Sequence, residues 1–284
     1  MNLPHVAQRL FNTPLVLHPA KAEVIIAALA DRMGFTCSKS LLTEESEFNR
    51  KGKDVGYEVV ESIAIIPIQG TLVNKLGTLE PWSGMTGYDG IRINFLCALN
   101  DPEVKAVCLD IDSPGGDVAG CFDLVDTIYR ARGTKPIHAI LSENAYSAAY
   151  AIASAADRII VPRTGGVGSI GVIYIHYDFS AQIEKAGIKP TIIKCGTRKA
   201  EGNSLEPLSD DVKSALQSDI DLVGNLFFNT VSRNRGISVS AIRDLEAACF
   251  IAERGVELGL ADEVNSPDAA FLNLLNKLEK ENGI

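Results

Sequence analysis

From residue 62 onward, short apolar runs alternate with helical stretches, and this alternation is the strongest constraint on the fold. The segment IAIIPIQG at 63–70 reads as a strand and marks the start of the compact body near Ser62. After it come a helix at 91–99, a buried strand at 106–111 and a turn at Ser113-Pro114-Gly115-Gly116. An amphipathic helix at 118–132 and a strand at 136–141 follow. The stretch 148–156 is an alanine-rich helix, so small that it must pack tightly, and 158–161 is the next strand. Further strands are expected at 170–177 and 191–194, with helices at 180–186, 210–235 and 238–245. A helix-turn-strand at 256–264 closes the body, and Pro267-Asp268 opens a charged helix ending near Asn282. Strands alternating with helices give an α/β class, and there is no internal repeat of solenoid period.

The organisation that follows is an N-terminal helical arm and linker at 1–61, a core at 62–265 and a C-terminal helix at 266–284. Within the arm, 20–33 has helical periodicity and 36–57 is polar and charged. Between 70 and 90 lie five glycines, Pro81 and Trp82, which suit either a loop over a binding site or an ordinary surface loop. The chain has 284 residues and a net charge of -9, and no basic stretch long enough to bind nucleic acid. It shows neither a signal peptide nor a bilayer-length apolar run, so no membrane partner is expected. Of six cysteines none forms a CxxC pair, and Cys108 and Cys121 read as buried free thiols. That implies a reducing compartment and a cytoplasmic location.

Three segments carry chemistry. Asp112-Ser113-Pro114-Gly115-Gly116 follows a buried strand, and its glycines leave backbone N–H groups open to an oxyanion, although a plain tight turn fits equally well. Ser147 stands between a strand and the small helix; taken alone, it reads more simply as an N-cap. Lys199 follows a glycine turn, where most lysines are merely solvated. Together they change the balance, because acyl transfer needs a nucleophile, a base and oxyanion donors. The four histidines are His5, His18, His138 and His176. Two lie in the arm and two within apolar runs, where satisfied structural histidines are expected. A Ser-His-Asp triad has few candidates, whereas a Ser-Lys dyad has a good one.

The ordered series IPIQG at 66–70, DSPGG at 112–116, YSAAYAIASAADRI at 146–159, GSIGVI at 168–173 and KCGTRK at 194–199 resembles the signal peptide peptidase A family of serine proteases. The run FNTPLVLHPAKAEVIIAALADRMG and the SAAY form of the nucleophile motif resemble its phage head-maturation branch. Where other members have two glycines after the serine, this chain has Ala148-Ala149.

The resemblance implies a ClpP/crotonase-like spiral of β-β-α units. It implies Ser147 as nucleophile, Lys199 as general base, Ser169 as the hydroxyl that orients the lysine, and Gly116 and Ala148 as oxyanion donors. It further implies protein substrates, namely scaffold or capsid proteins and the chain itself, and a homo-oligomeric ring. No metal or organic cofactor is required; neither HExxH nor zinc-spaced cysteines and histidines occur. Free lysine ionises near pH ~10.4, so the base must be buried without a paired carboxylate. Glu201 and Glu206 must therefore point away. Two alternatives stand beside this reading: a crotonase-like acyl-CoA enzyme, and a non-catalytic capsid- or scaffold-binding protein.

Overall fold

The computed structural model describes residues 14–17, 56–75 and 84–282. The expected helix at 20–33, most of the 36–57 linker and Trp82 fall outside them. The described strands form one largely parallel sheet in a mixed α/β fold. Along its main path β2 (Glu58–Val60) pairs antiparallel with β3 (Ile63–Val73), which pairs parallel with β5 (Ala106–Asp117). Next come β6 (Ile137–Tyr146), β7 (Arg158–Val161) and β10 (Glu263–Val264), all parallel. Short strands lie off this path: β1 (Leu15–Leu17) on β5, β4 (Met85–Gly87) on β3, and β8 (Gly166–Gly168) between β6 and β9 (Cys249–Ile251).

The central strands are buried on both faces, which is why they read as continuous apolar runs. Side chains alternate. Ile66, Ile68, Val107, Leu109, Ala139 and Leu141 face the main core. Helices α1 (Tyr88–Asn100), α2 (Cys121–Arg130) and α3 (Ala148–Ser154) cover that face. Ile63, Ala106, Cys108 and Ile140 face the other way, against Ala270, Leu274 and Leu278 of α8 (Pro267–Asn282). All seven residues of α3 are buried, as a helix of small side chains lying close to its neighbours requires. Cys108 and Cys121 are free and buried, and burial pushes both thiols up to about 12.

Arg132 holds the far end of α3. Its guanidinium donates to the carbonyls of Ser154, Ala155 and Ala156, which the helix leaves without intrahelical partners. It also donates to the Asn234 carbonyl in α5 (Asp210–Arg235). Asn234 returns a bond to Ser154 Oγ at 2.9 Å. α5 begins at a capping serine, Ser209, and ends at Gly236 in the left-handed region. Only its second half is embedded: its buried residues are Gly224, Phe227, Thr230, Val231 and Asn234. After α5 come α6 (Val239–Arg243) and α7 (Ala252–Glu257).

Three expectations are corrected. Ser113–Gly116 is not a turn opening a helix; β5 runs through it to Asp117, because Gly115 and Gly116 pair with Thr71 and Leu72 of β3. The next helix starts only at Cys121. No strand forms at 191–194, and 170–177 has a single bridge, from Ile173 to Leu15. Residues 171–208, which include α4 (Ser180–Lys185), contain no buried residue, so their β-forming side chains have no sheet to join.

His138 sits on the α8 face of β6, where burial, reinforced by Arg158 and Lys277, pushes its pKa from 6.5 down to about 4. The unfolded chain therefore takes up a proton that the folded chain refuses in this interval. The neutral imidazole's contribution is complete above pH 6.5 and is lost as pH falls toward 4. Urea unfolding at pH 7 and 4.5 should show a loss on the order of 2 kcal/mol from this group, and His138→Leu should flatten that slope.

Candidate active site

β6 delivers Ser147 to the start of α3. The expected alternative, an N-cap, makes a specific prediction: extended backbone and a side chain accepting from the first turn. Ser209 and Ser238 in this same chain do so, accepting from Val212 and Ala241 N–H groups. Ser147 does neither. It has φ 57° and ψ -118° and makes no capping bond. Such dihedrals belong to glycine, and a serine held there stores strain of ~1–3 kcal/mol. Its own N–H donates to Gly168 O at 2.9 Å, and its carbonyl accepts from Ala151 N at 2.9 Å. The backbone is thus fixed on both sides while the hydroxyl makes no hydrogen bond among the described residues.

The neighbours converge by strand pairing. Tyr146 pairs with Gly168, which sets Ser169 beside the nucleophile segment. Ser169 is also at positive φ, 54°, and is 5% exposed. Its N–H donates to Ala248 O at 2.9 Å. Its hydroxyl is hydrogen-bonded to Cys249, whose thiol burial pushes upward. On the other side, Ser113 pairs with Ala145. Ser113 Oγ donates to Gly70 O at 2.7 Å and accepts from Gly115 N–H at 3.2 Å, which shapes the path to Gly116. Gly116 runs so close to β3 that a Cβ would lie 1.8 Å from Leu72 O. Its glycine is needed for close backbone approach, not for a turn. Ala148 is the first residue of α3, where helix N–H groups have no intrahelical acceptor.

Ser147, Ala148, Ser169 and Gly116 therefore lie on paired or adjoining segments. Lys199 stands apart. It lies in a 3-10 turn, Thr197–Ala200; Arg198 of that turn and the following Glu201 line an open cleft together with Val212 and Leu216 of α5. Its side chain is exposed, without the burial expected of a general-base lysine. The two nearby carboxylates are engaged elsewhere: Glu201 with Arg198 at 2.8 Å and Glu206 with Asn203 at 3.1 Å. His138 is buried on the α8 face, away from Ser147's helix; His176 departs from the expectation of a satisfied histidine, since both its ring nitrogens are buried without a hydrogen-bond partner among the described residues. Sequence reasoning also passed over Ser113, whose hydroxyl organises the Gly116 approach.

The profile of peptidase family S49 matches residues 130–281, a span that includes Ser147, Ser169 and Lys199. The chain belongs to this family. Membership in S49 agrees with the similarity to signal peptide peptidase A drawn from the motifs. Over 283 residues the chain is 42% identical to the capsid assembly protease C of Escherichia phage lambda, covering 94% of this chain and 64% of that protein. Over 282 residues it is 42% identical to the head-tail preconnector protein GP5 of Enterobacteria phage P21, covering 94% and 56%. A more distant relative is the chloroplastic serine protease SPPA of Arabidopsis thaliana, 26% identical over 253 residues, covering 87% and 37%. The chain thus spans less than two thirds of the length of these relatives.

Proposed function

We propose that this S49 chain is a serine endopeptidase that uses Ser147 and Lys199 on scaffold or capsid proteins, its own chain included, during phage head maturation. The observation that carries the proposal is Ser147 itself: a strained, non-capping serine at a strand-to-helix junction. The names of the two phage relatives support the substrate class. The parallel strands with helices packed on both faces support a ClpP/crotonase-like spiral.

In the proposed mechanism neutral Lys199 takes the Ser147 proton as Oγ attacks the scissile carbonyl. The Gly116 and Ala148 N–H groups receive the developing oxyanion, each worth on the order of 10²–10³ in rate. The lysine then passes the proton to the leaving amine, and water releases the acyl-enzyme. Ser169 orients the lysine once it arrives. Burial of Lys199 comes from a second copy of the chain. It shares its exposed limb with Ile188, Ile193 and Leu205, which are 62%, 94% and 42% exposed. Apolar surface beside a base that must be desolvated suits a homo-oligomeric interface, in keeping with a ring. Among the described residues, no helix is long and apolar enough to cross a membrane, and the proposed place of action is the host cytoplasm.

Labelling with a fluorophosphonate, read by peptide mapping between pH 6 and 10, tests the dyad. A single adduct on Ser147 is expected, forming faster per chain at higher protein concentration and much more slowly in Lys199→Ala. Equal rates in Lys199→Ala would overturn the role of the lysine. Failure to modify Ser147, in both the intact chain and the arm-released variant introduced below, would overturn the proposal.

A further inference from the structure

β1 is held on both sides. Its register on β5 sets Leu15 opposite Asp117, Val16 opposite Gly116 and Leu17 opposite Gly115. On its other side Leu15 N–H donates to Ile173 O, and Ile173 N–H donates to Leu15 O, each at 2.9 Å. Leu15 thus turns both its polar backbone groups toward Ile173. Strand alternation then turns those of Val16 toward Gly116, the candidate oxyanion donor. Leu15 and Leu17 are each only 3% exposed.

This edge of β5 is open for a reason. β6 pairs with β5 as far as Ser113 and Ala145, and the chain then turns away at Ser147. Beyond that point β5 would present unpaired backbone groups from Gly115 to Asp117, the arrangement that accepts an added strand. The platform is fixed from behind. Tyr88 Oη donates to Asp117 O at 2.7 Å, and Asn74 N–H donates to Asp117 Oδ2 at 3.1 Å. The opposite wall, around Ile173, has no other strand partner among the described residues. The slot therefore runs between the segment bearing Gly116 and the one that follows Ser169, alongside Ser147.

We propose that Pro14–Leu17 is a resident ligand of the slot in which substrate is bound, so that the chain's own arm and an incoming peptide exclude each other. The peptide that replaces it is extended and carries aliphatic side chains two residues apart, as Leu15 and Leu17 are. This rests on the protease reading for the word substrate, but the occupancy itself does not depend on catalysis.

The test combines a binding and a labelling readout. A fluorescein-labelled peptide of residues 10–21 is titrated against the intact chain and against a Leu15→Asp/Leu17→Asp variant by anisotropy. It is expected to bind the variant at least tenfold more tightly, and the same peptide with both leucines replaced by aspartate is expected not to bind. Fluorophosphonate labelling of Ser147 is expected to be at least tenfold faster in the variant, and slowed again by the free peptide. Equal binding to both forms would overturn the proposal. Peptide binding confined to the variant, with Ser147 unlabelled throughout, would sink the protease reading and leave the occupancy standing. Leu15→Pro, which removes the N–H donated to Ile173 together with the buried leucine side chain but adds no charge, is a milder release of the arm. In the unaltered chain the Leu15 and Ile173 amides are expected to be protected from hydrogen exchange; rapid exchange at both would refute the occupancy whatever the variants do.

Discussion

Ser147→Ala is expected to lower peptide hydrolysis by roughly four orders of magnitude or more, with a thermal midpoint within about 2 °C of the parent. The hydroxyl it removes makes no hydrogen bond among the described residues, so its loss leaves no buried partner unsatisfied. Alanine also retains the strain, because φ 57° and ψ -118° are as unfavourable for it as for serine. Ser147→Gly separates the two contributions. It should be equally inactive yet more stable than the parent by about 1 kcal/mol, since glycine occupies this region without penalty. Hydrolysis of a peptide substrate and urea unfolding of the three proteins check both halves. Retained activity in either variant would remove Ser147 from the mechanism. A glycine variant no more stable than the alanine one would show that the junction is not strained.

Gly116→Ala is expected to be the most damaging methyl addition in the site. The new Cβ would lie 1.8 Å from Leu72 O and 2.5 Å from its carbonyl carbon. Both are backbone atoms of a central strand, buried within a parallel pair, and neither can swing aside as a side-chain tip would. Relief requires β3 and β5 to part at the register Leu72↔Gly116, next to the β-bulge between Gln69 and Thr71. A loss of about 3 kcal/mol or more is expected, together with loss of hydrolysis even in the fraction that folds, because the displaced amide is the proposed oxyanion donor. Denaturant midpoints and activity per folded molecule measure the two effects. A fully stable Gly116→Ala chain would mean that the strands do not pack as described.

The particular residues show what a sequence discloses and what it withholds. The long helix at Asp210–Arg235 and the all-buried Ala148–Ser154 helix were legible, because periodicity and side-chain size are local properties. The Ser-Pro-Gly-Gly segment was misread as a turn. Proline and glycine punctuate most chains, whereas here a neighbouring strand distant in sequence imposes an extended course. The segment around Ile193 read as a strand, yet it forms none and that side chain is 94% exposed. In the proposed oligomer a second copy covers it. At Ser147 the two sequence readings share the same strand-serine-helix pattern, and only backbone dihedrals and the missing cap separate them. The residues of β1 gave no chemical signal of their own; their place depends on an edge that exists because β6 ends at Tyr146.

The half-embedded long helix has a mechanical consequence. From Asp210 to the first buried residue, Gly224, it projects by 14 residues, about 21 Å at 1.5 Å per residue. A rotation of about 10° at the embedded end would sweep the tip through about 4 Å, comparable to the difference between a proton-transfer contact and none. Arg198, next to Lys199 in the 3-10 turn, lines an open cleft with Val212, Ala215 and Leu216 of this projecting half. In the proposed oligomer, small angular differences in how copies seat against one another would be amplified into large differences in where the Lys199 ammonium comes to rest. In the proposed ring, catalytic competence becomes a property of angle, set by how the copies close and not by adjustment within the nucleophile's own strand and helix.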